Sequence, residues 1–480
     1  MNTRCQKAVA GPALSGTAGR DFNDRRRSAV RSVYFGHGQL LWSNEVMTIQ
    51  PDRYPAMMEA LRGAFAGGRT RPLDWRRQQL DAMGRLLGEN QDRIGAALAE
   101  DLGRPDHEFY LGEISVLRTE LGHARRHLKR WARPRYVHTP LVSQPGRSWV
   151  QPEPLGVVLI MGAWNYPVQL VLSPLIPALA AGNCAVVKPS EISAATSHLL
   201  AELIPRYLDP EAVQVVEGAV EETTELLKQR FDHILYTGGA AVGRIVMRAA
   251  SEHLTPVTLE LGGKSPCVID EKADLDSAAR RIVWGKCLNA GQTCIAPDYV
   301  LVNHTRRDAL VERIEAHLEA MYGDDRLGSE DFGHIVNRRH YERLKGYLDD
   351  GRVVVGGRFD DDNLRIEPTV LVDTGEDVAV MQEEIFGPLL PVIGVESFDA
   401  AIDFIGRRDK PLSAYLFTRS RERERRFVDA VATGNICIND VMMFMSVPDL
   451  PFGGVGMSGM GQYHGQVGFD RLSHLKSVMR

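Results

Sequence analysis

Apolar residues recur along this chain first at helical spacing and then in short continuous runs. Met57, Met58, Leu61, Ala64 and Phe65, just after Tyr54, form one apolar stripe, and Leu80, Met83, Leu86 and Leu87 begin another that runs to Leu102. Spacings of three and four predict amphipathic helices. The helical pattern continues to Leu128 and meets a boundary at Arg133-Pro134-Arg135, after which 135–153 reads as a polar arm. At Leu155 the period changes. Short apolar runs start at Leu155 and Cys184 and recur at Val213–Val216 and His233–Tyr236, separated by helical stretches at 168–181, 194–208 and 221–229. Strands alternating with helices predict βαβ units, and unbroken apolar strands predict a parallel sheet covered on both faces. A second alternation follows, with runs at Cys267–Ile269, Tyr299–Val302, Val353–Val355 and Leu390–Val395 and helical patterns at 274–289, 306–322, 338–349 and 398–406. From Pro451 the chain is rich in Gly and reads as loops plus a short terminal element.

The first 46 residues break this pattern. Seven basic residues (Arg4, Lys7, Arg20, Arg25, Arg26, Arg27, Arg31) stand against three acidic ones (Asp21, Asp24, Glu45), with weak apolar periodicity. Such a stretch cannot offset the entropy of ordering, which predicts a disordered leader, or Met47 as the true start. A partner-binding tail is the alternative. The acids argue against a transit peptide, and no signal-peptide core is visible.

Composition narrows the class. The 480 residues carry 57 Lys and Arg against 62 Asp and Glu, a net charge of −5, which argues against a nucleic-acid binder. The longest apolar stretch, Val168 to Ala181, is interrupted by Pro174 and Pro177 and falls short of the ~18 residues a spanning helix needs, so no membrane is expected. Six cysteines, at 5, 184, 267, 287, 294 and 437, form no C-x-x-C pair and predict reduced thiols in the cytoplasm. No metal site is expected. His123 and His127 sit four apart, but Arg125 and Arg126 fill the gap where H-E-x-x-H needs its Glu.

Two phosphate motifs fail on context. Gly454-Val-Gly456-Met-Ser-Gly459 matches G-x-G-x-x-G but neither follows a predicted strand nor opens a helix, and Gly263-Lys264-Ser265 lacks its P-loop because Thr258 stands where the first glycine belongs. A better candidate is Tyr236-Thr-Gly238-Gly239-Ala-Ala-Val-Gly243, between a strand and a helix, where backbone N–H groups could face a phosphate. The same glycines would also suit a tight structural turn. Glu260 follows an apolar run, a place where solvated or salt-bridged carboxylates are common. Cys294 lies in Asn289-Ala-Gly-Gln-Thr-Cys294-Ile-Ala-Pro, a loop suited to a reactive thiolate, although free cysteines are often buried hydrophobes.

Taken together, Trp164-Asn165-Tyr-Pro, Lys188-Pro-Ser-Glu191, the 238–243 turn, Glu260, Cys294 and Glu383-Glu384-Ile-Phe386-Gly-Pro occur in an order that resembles the aldehyde dehydrogenase superfamily. The chain is most similar to the class 3 branch, which includes fatty and aromatic aldehyde dehydrogenases and coniferyl-aldehyde dehydrogenase relatives. Gly68-Arg-Thr-Arg-Pro-Leu, 231–238, 254–267 and 450–456 add branch-like stretches, and the resemblance runs from about Ala56 to Val478.

The resemblance implies an α/β fold: a Rossmann-like NAD(P)-binding domain (47–133 and 154–261), a second α/β catalytic domain (262–445) and a small oligomerisation arm (134–153 and 446–480). It implies NAD(P)-dependent oxidation of aromatic or medium- to long-chain aliphatic aldehydes to carboxylic acids. Cys294 would attack the aldehyde, Asn165 would hold the oxyanion with the Cys294 N–H, and Glu260 would activate the water that hydrolyses the thioester. Lys188 and Glu191 would hold the adenosine ribose, and Gly238, Gly239 and Gly243 would face the pyrophosphate. Glu384 and Phe386 would contact the nicotinamide ribose and ring, and Trp164 would also be cofactor-binding. Glu191 favours NAD over NADP on charge grounds, although class 3 relatives often accept both. The family usually has Ser-Thr where this chain has Gly239-Ala240, so pyrophosphate contacts must come from backbone or water. Tyr463-His464-Gly resembles a class 3 feature without an assigned role. A homodimer is expected, and because the chain stops at Met479-Arg480 without a hydrophobic tail, a soluble cytoplasmic protein. Three rivals remain: a coenzyme A-acylating dehydrogenase, against which Glu260 speaks, a cysteine esterase on the same site, and a non-catalytic cofactor-binding scaffold.

Overall fold

Five short strands assemble into a sheet that is buried through its three central strands and partly exposed only toward its margins. The computed structural model describes residues 53–480; the expected leader, 1–46, lies outside them. In this sheet the strands Val213–Val215, Cys184–Lys188, Val157–Met161, His233–Thr237 and Val257–Glu260 lie side by side and parallel. Numbered along the chain this is the order 3-2-1-4-5 of a doubly wound nucleotide-binding sheet. Val157–Met161, Cys184–Lys188 and His233–Thr237 are buried at every position, which explains their unbroken apolar sequence. A sixth strand, Gly459–Met460, arrives from near the end of the chain and pairs antiparallel, Gly459 opposite Glu260.

The second alternation builds a seven-stranded sheet, in the order Arg352–Val355, Thr369–Val372, Leu389–Val395, Tyr299–Asn303, Pro266–Ile269, Ser413–Phe417 and Asn435–Ile438. Only the edge strand Arg352–Val355 is antiparallel. Thr369–Val372, Ser413–Phe417 and Asn435–Ile438 are three strands that the apolar runs did not single out. The fold class expected from the sequence, two α/β units with a Rossmann-like parallel sheet, is the one found.

The polar arm becomes a three-stranded antiparallel sheet. Ser148–Pro154 lies between Arg135–Val137 and the seven-residue strand Ser473–Met479. The segment 446–480 thus divides its length: Gly459–Met460 extends the nucleotide sheet, and only the last strand joins the arm.

The apolar stretch containing two prolines forms one helix, Gln169–Ala181, with all thirteen residues buried. Each interior proline costs about 3 kcal/mol of helix stability. Burial of Val171, Leu172, Leu175, Ile176 and Leu179, none of them exposed, contributes about 1.5–3 kcal/mol per side chain and outweighs that cost. Among the described residues no helix is long and apolar enough to cross a membrane.

Leu175 has no exposed surface. Leu175→Ala should lower the unfolding free energy by about 2–5 kcal/mol, read as a shifted midpoint in urea with an unchanged slope.

Candidate active site

In a doubly wound sheet, ligands bind beyond the carboxyl ends of the strands, where the order reverses. Here the reversal lies between Val157–Met161 and His233–Thr237. The first strand runs out into Trp164 and Asn165 and the second into Gly238 and Gly239. Glu260 ends the next strand over. Trp164, Asn165, Gly238, Gly239, Glu260, Cys294, Glu384 and Phe386 all line one cavity of about 230 Å³. The topology therefore brings together eight of the eleven residues the sequence nominated.

Cys294 reaches that cavity on a bent loop. The helix Leu275–Cys287 is followed by three successive residues with positive φ: Asn289 (54°), Ala290 (51°) and Gly291 (74°). Left-handed backbone at two non-glycine residues costs energy and persists only where the surroundings hold it. Asn289 supplies much of that hold. Its N–H donates to Glu108 Oε2 at 2.8 Å, and its side-chain amide donates to the carbonyls of Asn165 (3.0 Å) and Gln292 (3.1 Å). Gln292 donates to the carbonyls of Asn289 (3.1 Å) and His334 (3.0 Å), and the Tyr415 hydroxyl donates to the Ile295 carbonyl. At Gly291 a Cβ would fall 2.2 Å from the Gly387 carbonyl oxygen, so no side chain fits.

The loop and the Asn165 turn are tied by a buried ion pair. Arg104 donates from Nη1 to Glu113 Oε1 at 2.9 Å, and neither side chain has exposed surface. Its Nη2 donates to the Asn165 carbonyl and its Nε to Asn289 Oδ1 at 3.3 Å, while its guanidinium lies 4.5 Å from the Tyr166 ring centroid. Glu113 sits in a π-helical turn, Tyr110–Ser115, an irregularity that recurs at functional sites. In the same turn Gly112 lets Tyr166 approach; a Cβ there would meet the ring at 2.8 Å. Sequence reasoning missed Arg104 and Glu113, since nothing in a local motif distinguishes a buried ion pair from two surface charges.

A second cavity, of about 210 Å³, meets the first at Cys294. Apart from Ser115, Gln169, Thr293, Ser446 and the Tyr166 and Tyr463 hydroxyls its walls are apolar, with Leu111, Trp284, Leu288, Met442, Met443 and Met445 prominent. Leu170, Phe452 and Tyr463 border both cavities. The thiol therefore stands where a chamber carrying Asn165, Glu260 and Glu384 joins an almost wholly apolar tunnel.

On the polar side, Lys188 is buried and donates to Glu191 Oε2 and to the Pro189 carbonyl, each at 3.0 Å. Neither Lys188 nor Glu191 lines the chamber at Cys294; they lie at the end of the neighbouring strand. Gly239 caps the helix Ala240–Ser251, and a Cβ on it would meet nothing within 4 Å, so its backbone is open to a ligand. Gly243 takes a different part from the one the resemblance implies. It is buried one turn into that helix, and a Cβ there would fall 2.9 Å from Leu261 Cδ2, so it serves helix-to-strand packing rather than phosphate contact. The chamber continues past Gly239, Gly262 and Glu384 into an open groove of about 710 Å³ that includes Lys264 and Lys410.

The Glu383–Phe386 segment is pinned from three sides. Lys264 donates to the Glu383 carbonyl at 2.8 Å, Ile385 N–H donates to Asp298 Oδ2 at 2.9 Å, and Arg343 donates to the Ile385 carbonyl at 2.8 Å. This holds Phe386 at φ 51° with its ring edge-on to Trp164, centroids 5.3 Å apart. His340 and Arg343 also line the chamber and were not foreseen; their run of basic residues reads as a surface helix. Glu384 Oε1 and Thr237 Oγ1 are buried and lack partners in the protein. Open glycine backbone, a strand-order reversal and unmet polar atoms together fit a dinucleotide.

Burial dominates the electrostatics. Both oxygens of Glu260 are buried and unpaired, and desolvation raises its pKa well above the usual carboxylate range. Burial, with the Asp298 charge, pushes Glu384 up to about 8. Burial, then the Glu384 and Glu260 carboxylates, raises the Cys294 thiol, opposed by backbone N–H groups of Cys294 and Ile295. Tyr463 stands beside this group with its hydroxyl buried and unpaired, and His464, held near the Ser173 hydroxyl (3.3 Å), is kept neutral by burial, its pKa lowered to about 4.

Comparison with known proteins places this geometry. The model of the aldehyde dehydrogenase family matches residues 22–478. That match starts earlier than the resemblance expected from Ala56, reaching into a stretch whose weak periodicity hid it. The chain is 49% identical over 422 residues to aldehyde dehydrogenase family 3 member A2 of Rattus norvegicus, covering 88% of this chain and 87% of that protein. It is 48% identical over 418 residues to the dimeric NADP-preferring aldehyde dehydrogenase of the same species, covering 87% and 92%. Among solved structures, a substrate-bound state of Staphylococcus aureus AldH superposes with a TM-score of 0.87 at 42% identity, covering 89% of this chain and 93% of that one.

A buried carboxyl whose pKa is raised binds its proton more tightly folded than unfolded, so stability is greatest at low pH and falls as pH rises above the unfolded value of about 4.5. Glu260→Gln removes that penalty. The variant should melt higher than the parent at pH 7.5, with the gap closing as pH approaches 4.5 in parallel thermal scans.

Proposed function

This chain belongs to the aldehyde dehydrogenase family and is an NAD(P)-dependent oxidoreductase acting on aldehydes; we propose that Cys294, Asn165 and Glu260 carry its chemistry, on aromatic or medium- to long-chain aliphatic aldehydes. The observation that carries this reading is the position of Cys294 at the junction of the apolar tunnel and the chamber that holds Asn165, Glu260 and Glu384. An apolar tail in the tunnel would leave its carbonyl at the thiol, on the side of Asn165 and Glu260. The methionines of the tunnel suit varied apolar shapes, because an unbranched thioether fills irregular space.

Cys294 reacts as the thiolate: its proton passes to solvent, Sγ bonds to the carbonyl carbon and the C=O π pair moves to oxygen, which gives the oxyanion of the thiohemiacetal. The second Asn165 amide hydrogen, its first being used by the Gln292 carbonyl at 3.0 Å, stabilises the oxyanion together with the Cys294 N–H. NAD(P), when bound, supplies the hydride acceptor that converts this adduct to a thioester. Lys188 and Glu191 would hold its adenosine ribose, the Gly238–Gly239 backbone its pyrophosphate, and Trp164, Glu384 and Phe386 its nicotinamide end. Glu260 takes a proton from the water that attacks the thioester carbon, Sγ leaves and recovers a proton, and the carboxylic acid departs. A carboxylate with a raised pKa is a stronger base for that step once ionised.

The sequence rival that passes the acyl group to coenzyme A has no use for a buried, unpaired base. We further read the protein as a cytoplasmic homodimer. The five described cysteines are all unpaired, as in a reducing compartment, and one relative is named dimeric.

Glu260→Gln should give a burst of reduced nicotinamide near one per site and then little steady turnover, seen by stopped flow. A variant with full steady turnover would remove Glu260 from deacylation. Cys294→Ala should abolish turnover on every aldehyde while retaining cofactor binding by fluorescence titration.

A further inference from the structure

We propose that Arg104 is a positioning residue for the oxyanion donor, fixing Asn165 through its backbone carbonyl. This rests on the reading of Asn165 given above. Asn165 can meet an oxyanion only if its amide nitrogen, not its oxygen, faces the thiol. The donation from Asn165 Nδ2 to the Gln292 carbonyl sets that orientation, and it survives only while the two turns keep their separation. Arg104 bridges them beside the direct donation from Asn289 Nδ2 to the Asn165 carbonyl, and it fixes both partners of that contact: one guanidinium edge takes the Asn165 carbonyl, and Nε takes the Asn289 side chain of the nucleophile loop.

The fork is aimed by two further contacts. Glu113 Oε1 holds Nη1, while its other oxygen accepts the backbone N–H of Gln169, the first residue of the buried helix that follows Asn165. The Tyr166 ring closes the guanidinium face, and the Tyr166 hydroxyl pairs with Thr293 Oγ1 at 2.8 Å, next to the nucleophile. A planar donor fork satisfies three acceptors at fixed angles; an ammonium group of equal charge cannot.

A merely structural Arg104 would affect every property of Cys294 alike. A positioning role separates them. Aldehyde addition develops an oxyanion, whereas alkylation of the thiol by iodoacetamide develops none. The test uses the full chain with Asn165→Ala, Arg104→Lys, the charge-neutral pair Arg104→Met with Glu113→Gln, and the pair combined with Asn165→Ala. Removing both charges leaves no lone buried ion, and Arg104→Lys keeps the ion pair, so one variant tolerates the loss of the other.

The expected result is a kcat lowered on the order of 10²-fold in Asn165→Ala, Arg104→Lys and the charge-neutral pair. Aldehyde KM and the rate of Cys294 alkylation should stay near those of the parent. Adding the charge-neutral pair to Asn165→Ala should cost little more, because both act on one interaction. The proposal is overturned if alkylation slows in step with turnover, if Arg104→Lys turns over like the parent, or if the losses multiply in the combined variant. Asn165→Ala at the parent's rate would instead overturn the oxyanion reading itself.

Discussion

The guanidinium of Arg104 is charged and has no exposed surface. Stripping such a group of water costs several kcal/mol, so it is stable only where a counter-charge and enough acceptors surround it. Glu113, the Asn165 carbonyl, Asn289 and the Tyr166 ring meet that demand from three separate stretches of chain. Losing any one leaves a buried charge short of partners, which typically costs about 3–5 kcal/mol when the counter-ion is lost. The pair thus contributes less by its own attraction than by the penalty on every arrangement that breaks it. That penalty holds the left-handed turn at Asn289 and Ala290 in place.

The two sheets divide the remaining work. The nucleotide sheet presents strand ends with bare backbone at Gly238 and Gly239, while the second sheet supplies the loop with Cys294 and the segment with Glu384 and Phe386. Neither sheet alone encloses the thiol. Enclosure gives the electrostatics their character: Glu260, Glu384 and Cys294 all sit where the charged form is disfavoured. In such an enclosure any charge that develops is felt strongly, because the surrounding medium screens it poorly.

Much of this was legible along the chain, for identifiable reasons. Parallel strands buried on both faces must be continuously apolar, so Val157–Met161 and His233–Thr237 declared themselves. A cysteine among Gly, Thr and Pro, and a Glu at a strand end, stood out from their neighbours. The proline pair at 174 and 177 interrupted the apolar run without breaking the helix, because packing on all sides outweighs two lost hydrogen bonds. What stayed hidden depends on contacts between distant residues. Arg104 lies 61 residues from Asn165 and 185 from Asn289. His340 and Arg343 come from a segment that reads as a surface helix, whereas Tyr463 stood out only by resemblance and without a role. Gly243 shows the converse: a glycine at a suggestive spacing can serve close packing instead of a ligand.

The strand Gly459–Met460 has a consequence for how the enzyme is born. It lies against Glu260, and the strand after it closes the arm against Ser148–Pro154, more than 300 residues earlier. A ribosome delivers Cys294 long before either partner. Until the final strands emerge, the nucleotide sheet has an open edge beside Glu260 and the arm lacks its closing strand. Long-range pairings of this kind slow folding, and here they make completion of the base's surroundings one of the last events. A chain that ends short of residue 459 lacks the strand that borders Glu260 and the Tyr463 wall beyond it, so its chamber is incomplete.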